Sequence, residues 1–372
     1  MKEIAKQWLA NLGRYETGKP IEEVARDLGF ESADDIIKLA SNENALGPSP
    51  MAVHAMKQAA GEMHRYPDSS AFYLRKALSS KLNVEPNQIM IANGSNEIIE
   101  FIGHVFLDSK SEVVIADRAF AIFRLITEMF EARPVIVPMS NFTHDLKAML
   151  GAITPRTKVV FIANPNNPTG TMVKNDEINE FMSKVPPHVV VAMDEAYIEL
   201  LPPEIQPDTL RYVREGRKII VLRTFSKTYG LAGLRIGYAV APAEGIELMA
   251  GIRQPFNVND MALKAAIAAI KDDAFVARTQ NMVGKGLRFF EKNLKKLGIE
   301  YIPSVANFML LKVGNGRAVF NELQKEQVIV RPMDGYNLPE YIRVTIGRSS
   351  ENKRCLEALR RVLPKSGLFF AD

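Results

Sequence analysis

Cysteine is nearly absent from this sequence. The single residue, Cys355, excludes an internal disulfide and a multi-cysteine metal site, so no metal is expected; it sits in an amphipathic helical pattern that calls for packing alone. An excess of one charge is also missing. Lys+Arg number 47 and Asp+Glu 43, a net of +4 with no basic run or tail, which gives nucleic-acid binding little support and suits small anionic ligands equally well. Apolar runs such as Val189–Met193 and Ile219–Leu222 are only strand-sized, so no membrane span is expected. The opening MKEIAKQWLANLG has no apolar stretch of signal-peptide length, and the cytoplasm is the expected compartment. Neither a G-x-x-x-x-G-K-[ST] loop nor a strand-bound G-x-G-x-x-G occurs, which disfavours nucleoside triphosphates, dinucleotides and a dehydrogenase. Low-complexity tracts and solenoid repeats are absent as well.

What is present is an ordinary globular composition, 47% hydrophobic and 24% charged, over 372 residues, enough for two domains. Short β-branched runs apolar on both faces recur at 88–92, 112–116, 133–137, 158–163, 188–193, 218–222 and 235–241. Helical periodicity fills most of the gaps, as at Asn96–Leu107, Ile122–Glu131 and Asp176–Lys184. That alternation predicts an α/β domain over roughly 45–270, with a mainly parallel sheet covered by helices. A long helical stretch is expected from about Asn259 to Leu297. Strands at Phe308–Val313, Val328–Arg331 and Tyr341–Ile346 then predict a smaller α+β domain over 271–372. Residues 1–44 read as helix and turn, at Ile21–Leu28 and Ala33–Lys38, without a core of their own.

Ligands of open α/β sheets bind beyond the carboxyl ends of the strands, so the residues that follow each run matter most. After 88–92 comes Asn93-Gly94-Ser95-Asn96-Glu97. Free N–H groups at a helix start suit a phosphate, and Ser95 adds a hydroxyl, although an ordinary N-cap reads equally well. After 158–163 comes Asn164-Pro165-Asn166-Asn167-Pro168-Thr169-Gly170, whose prolines stiffen a turn presenting Asn166 and Asn167. After 188–193 comes Asp194-Glu195-Ala196-Tyr197; a carboxylate directly after a buried strand should meet a cation or a protonated ring, with capping as the plainer alternative. After 218–222 comes Arg223-Thr224-Phe225-Ser226-Lys227. A lysine among hydroxyls, with Arg235 in the glycine-rich stretch that follows, is placed to form an imine with an aldehyde. Four polar loops could therefore face one cleft.

These residues resemble the fold-type I pyridoxal-phosphate aminotransferases, over nearly the whole chain. The resemblance is carried by KLASNENALGPSP (38–50), HRYPD (64–68), NPNNPTGT (164–171), MDEAY (193–197), SKTYGLAGLRIGY (226–238), VIVRPM (328–333) and YNLPEYIRVTIG (336–347). It implies a large domain with a mainly parallel seven-stranded sheet between helices, a smaller α+β domain, and pyridoxal 5′-phosphate as cofactor. Lys227 matches the Schiff-base lysine, Asp194 the partner of the pyridine nitrogen, and Asn167 and Tyr197 the groups on the 3′ oxygen. Gly94, Ser95, Asn96, Ser226 and Arg235 match the phosphate cup, and Thr224 matches it less closely. Tyr66 matches a tyrosine that reaches the phosphate across a dimer interface, so a homodimer with shared active sites is implied. Phe120 stands where most relatives carry a tyrosine stacked on the ring; stacking can survive there, but a phenol role cannot. Ala45 replaces a usual proline, and Asn96 an aspartate found in some relatives. Arg343 matches the arginine that clamps the substrate carboxylate and Arg331 the one that binds a substrate phosphate, each with a strand-end salt bridge as the plainer alternative. Asn44 and Tyr15 fall in the segment that helps close the family's site, and Asn167 also borders the substrate.

The implied activity is transamination by ping-pong chemistry, with L-histidinol phosphate as the small-molecule amino donor and 2-oxoglutarate as the acceptor. An aromatic amino-acid aminotransferase and a threonine-phosphate decarboxylase share these motifs and stay open. A catalytically dead regulatory scaffold is the alternative of another class. Against it, the roughly forty residues ahead of SNENALG have neither the length nor the basic character of a DNA-binding domain, and Lys227 is intact.

Overall fold

The computed structural model describes residues 1–13, 18 and 20–363. The chain forms two compact units. One includes residues 1–13, Pro48–Asn167 and Met172–Val276; the other includes residues 20–47, Pro168–Thr171 and 277–363.

The first unit is built on seven strands: β1 (Ile89–Ala92), β2 (Glu112–Ala116), β3 (Arg133–Val137), β4 (Thr157–Ala163), β5 (Val190–Asp194), β6 (Ile219–Thr224) and β7 (Gly237–Val240). Their order is β1-β7-β6-β5-β4-β2-β3, and only β7 runs antiparallel to its neighbours. The expected mainly parallel α/β sheet is therefore present. Pro134 lies in β3, an edge strand, where a missing N–H breaks no ladder. Alternate side chains divide between two apolar layers. Val160, Ile162, Val191, Met193 and Val221 enter one; Phe161, Ala163, Ala192, Ile220 and Leu222 enter the other. This two-sided burial explains why the strands read as unbroken apolar runs.

Helix α1 (Ser95–Phe106) follows β1, and α2 (Ala121–Met129) follows β2. The long helical stretch expected from about Asn259 to Leu297 divides into two helices, α3 (Asp260–Ala269) and α4 (Asp273–Lys296). Asp272 separates them. Its carboxylate accepts the Phe275 N–H at 3.1 Å and the Ser49 hydroxyl at 2.6 Å, so a buried capping residue interrupts the periodic pattern.

In the second unit, β8 (Tyr301–Ile302), β9 (Phe308–Lys312), β10 (Arg331–Pro332) and β11 (Tyr341–Thr345) form an antiparallel sheet in the order β10-β11-β9-β8. Ile37–Lys38 pairs in parallel with Val328–Ile329, so the chain expected to be helix and turn over Ala33–Lys38 ends instead in a short strand. Cys355 is fully buried in the helix Ser349–Val362, and burial pushes its thiol up to about 12. Among the described residues no helix is long and apolar enough to cross a membrane, and no cluster of His, Cys, Asp and Glu could hold a metal ion.

Candidate active site

The carboxyl ends of β4, β5 and β6 bring three of the four polar loops side by side. Register sets Asp194 opposite Ala163 on one side and Leu222 on the other. Asp194 continues the face of Ala192, and Thr224 continues that of Leu222, so both point toward the layer against which Phe120 packs. Phe120 is the N-cap of α2, with its ring edge-on to Phe123 at 5.7 Å.

Asp194 is 6% exposed and accepts the Ala196 N–H at 3.1 Å. Burial pushes its carboxyl up to about 7, with Glu195 adding to the rise, while the Ala196 N–H and Lys227 oppose it. Lys227, half-buried on the loop after β6, places Nζ 5.8 Å from the centroid of the buried Tyr197 ring. Asn167 is half-buried at the end of the loop after β4. That loop is fixed by Asn164, whose side chain accepts the Val173 N–H at 2.8 Å and donates to the Val173 carbonyl at 3.1 Å.

The fourth loop joins through β7, which lies between β1 and β6. Gly94 has φ 86° and ψ 162°, a region essentially confined to glycine, and a Cβ there would come within 2.7 Å of Arg235 Nη2. The Arg235 guanidinium thus lies against the backbone that opens α1, beside Ser95 and the exposed Asn96. Thr224 donates its hydroxyl to Ser226 Oγ at 3.0 Å, which directs the Ser226 proton elsewhere. Backbone N–H groups, two hydroxyls and a guanidinium in one cup can hold a dianion.

Several contributors were invisible in the sequence. Gly237 is one: a Cβ there would meet the Ser95 nitrogen at 2.7 Å and the Arg223 carbonyl at 2.9 Å, so only glycine lets the cup close. Glu97 is a carboxylate in the first turn of a phosphate-type helix. It bonds back to the Asn93 N–H and to Asn257 Nδ2, both at 2.6 Å, which keeps its charge occupied. Below the site, the buried pair Arg223–Glu195, at 2.8 Å, neighbours Glu199, whose carboxyl burial pushes up to about 7 against the pull of Arg223.

The remaining expected residues lie as follows. Tyr66 is 83% exposed and stacks on Phe256 at 4.8 Å. In the second unit, Arg331 and Arg343 are direct partners across β10 and β11, which puts both side chains on one face. Arg343 is buried, donates to the Ala40 carbonyl at 2.8 Å and lies 5.1 Å from the Phe308 ring. Asn44 donates to Thr279 Oγ1 at 3.1 Å and accepts the Leu46 N–H at 3.0 Å, so it braces its own turn. Tyr15 lies outside the described residues.

The ligand-free protein should lose stability as pH rises. Asp194 and Glu199 go from ordinary values of 3.8 and 4.5 to about 7 on folding, so the folded state binds the extra protons. Their contribution is full below about pH 4 and disappears as pH passes about 7, a change of roughly 4 kcal/mol for each group at most. Urea unfolding between about pH 5 and pH 8 checks this, and Asp194→Asn should clearly flatten the slope.

The chain matches the model of aminotransferase class I and II over residues 34–359, and it belongs to that family. It is 49% identical to the histidinol-phosphate aminotransferase of Akkermansia muciniphila, covering 98% of this chain and 99% of that one. It is 43% identical to the enzyme of the same name from Moorella thermoacetica, over 96% and 92% of the two chains. Among solved structures, histidinol-phosphate aminotransferase from Sinorhizobium meliloti in complex with pyridoxal-5′-phosphate matches with a TM-score of 0.89 at 25% identity, over 98% of both chains.

Proposed function

We propose that this chain is a pyridoxal-phosphate-dependent transaminase that converts L-histidinol phosphate and 2-oxoglutarate to imidazole acetol phosphate and glutamate, a step of histidine biosynthesis. The observation that carries the reading is the meeting of a dianion cup, a buried carboxylate and a lysine beyond adjacent strand ends in one unit. Those residues fit the cofactor: the glycine-only cradle at Gly94 against Arg235 suits its phosphate, and the buried Asp194 suits a protonated ring. When bound, the cofactor supplies an electron sink for the carbanion left at the substrate Cα.

The protein's own groups do the rest. Gly94, Ser95, Asn96, Ser226 and Arg235 bind the phosphate, and Thr224 orients Ser226. Asp194 keeps a proton on the pyridine nitrogen. Asn167 and Tyr197 would hold the 3′ oxygen, and Phe120 would pack on the ring. Lys227 Nζ would hold the cofactor through its aldehyde group, and its amine is placed to move the proton at the substrate Cα.

Arg343 and Arg331 are assigned the substrate's anionic groups, one receiving a carboxylate and the other the donor's phosphate. Like charges directly opposite in a ladder are unfavourable, so this cross-strand pair suits an anion between its two guanidinium groups. Arg331→Ala should lower kcat/KM for histidinol phosphate by about 30-fold or more, roughly 2 kcal/mol, because the partner charge loses its counterpart. Phenylalanine, with no second anion, should change much less. Equal losses for both donors would make Arg331 structural, and a wild-type preference for phenylalanine would favour the aromatic aminotransferase reading.

The working form is a cytoplasmic homodimer in which Tyr66 serves the other subunit's cofactor. Met63, Tyr66, Phe72, Tyr73 and Phe256 are large apolar residues left exposed on the first unit, which supports a covered surface. The direct test of the function is glutamate production from histidinol phosphate and 2-oxoglutarate by the purified protein.

A further inference from the structure

The chain that joins the helix Ala243–Ile252 to α3 carries three polar side chains with no part in the roles above, Arg253, Asn257 and Asn259. This one connection braces the dianion cup at two points. Asn257, half-buried, donates Nδ2 to Glu97 Oε2 at 2.6 Å, and the same oxygen accepts the Asn93 N–H at 2.6 Å, one residue ahead of Gly94. Asn259 donates to the Leu234 carbonyl at 3.3 Å, one residue ahead of Arg235. Arg253 donates Nη1 to Asn257 Oδ1 at 2.8 Å, so the Asn257 amide is used at both ends and its orientation is fixed.

The other side of the connection holds the Tyr66 segment. Phe256, next to Asn257, stacks on the Tyr66 ring at 4.8 Å with the planes 26° apart. Its N–H donates to Ser69 Oγ at 3.4 Å, and Arg253 Nη2 reaches the same hydroxyl at 3.4 Å. Phe256 has φ 57°, in the left-handed region that a phenylalanine rarely adopts, and such strain persists where the surroundings fix the conformation. The segment it meets is braced in turn: Asp68 accepts the N–H groups of Ser70 at 2.9 Å and Phe72 at 2.8 Å, and the Ser70 hydroxyl at 2.6 Å.

We propose that Asn257 is a positioning residue for two cofactor sites at once: through Glu97 it sets the phosphate cup of its own subunit, and through the neighbouring Phe256 ring it sets the Tyr66 that serves the partner subunit's site. This rests on the pyridoxal-phosphate homodimer proposed above. The amide suits the task because it must donate to a carboxylate and accept from a guanidinium in one plane, which neither a carboxylate nor an apolar side chain can do.

The readout is the cofactor dissociation constant, taken from the visible absorbance of covalently held pyridoxal phosphate in purified mixed dimers. One subunit carries Lys227→Ala, so only the other site reports. Asn257→Ala on the subunit that owns the reporting site should raise the constant about tenfold, through the lost bond to a charged acceptor. On the partner it should raise it about threefold, through the loosened ring stack, and Phe256→Ala should act mainly from the partner. Asn257→Asp fills the same volume without a donor and should fall with alanine. Glu97→Ala should lose about tenfold, whereas Glu97→Gln, which keeps an oxygen for both bonds, should stay within about threefold of wild type. An Asn257→Ala effect from one position only, or wild-type binding in Asn257→Asp, overturns the proposal. If the Asn257 variants do not fold, Phe256→Ala and the two Glu97 variants read the two arms separately, and wild-type constants in Phe256→Ala or Glu97→Ala overturn it equally. A wild-type protein that is monomeric, or that takes up no cofactor absorbance, would instead remove the reading on which the proposal rests.

Discussion

Lys227→Ala should lose at least about 10⁴-fold in turnover while keeping its fold, since the proposed function gives this one residue both the covalent attachment and the proton transfer at Cα, and proton transfer alone is worth about 10²–10⁴. The fold should survive because Lys227 is half-buried on a loop and fills no part of either apolar layer. Borohydride reduction of the wild-type protein followed by peptide mapping should place the pyridoxyl label on the peptide containing Ser226-Lys227. Wild-type turnover in the variant would remove Lys227 from the chemistry. The same variant tests the shared dimer. Equal mixing with inactive Tyr66→Ala subunits should restore about a quarter of wild-type activity: half the dimers are mixed, and each mixed dimer has one intact site. No recovery despite subunit exchange would mean that each subunit supplies its own tyrosine.

The strands were legible because burial on both faces writes itself into local sequence. The runs at 112–116 and 133–137 coincide with β2 and β3, and Asp194 could be singled out because a carboxylate ends such a run. The cup was half legible: Gly94-Ser95 advertised a helix start, but its closure depends on Gly237, which acts through contacts with a turn more than 140 residues earlier. Glu97 reads as an ordinary first-turn acid until Asn257 is seen to hold it. The break between α3 and α4 was hidden for the same reason, because the Ser49 hydroxyl that helps bury Asp272 comes from the other end of the unit. Periodicity reports which face is buried; it does not report which distant backbone needs the space or which distant side chain completes a bond.

Asp194→Ala should lower kcat by about 10²–10³-fold, roughly 3–4 kcal/mol in the barrier, with a smaller loss of cofactor affinity. The carboxylate sits at the end of β5 between two strands, and burial, with Glu195 adding to it, pushes its carboxyl up to about 7 despite the Ala196 N–H and Lys227, so its ionised form is favoured only by a further cation beside it. In the proposed function, a protonated pyridine nitrogen of the cofactor would be that cation. On that reading Asp194 would matter more in the transition state than in binding, because the electron sink is needed only when the substrate carbanion forms. Asp194→Asn separates charge from shape. It can keep the Ala196 N–H bond and the volume, yet it cannot hold the proton on the nitrogen, so it should fall nearly as far as alanine. Near-wild-type turnover in Asp194→Asn, or a loss below about tenfold in Asp194→Ala, would reduce this residue to a cap for the Ala196 turn.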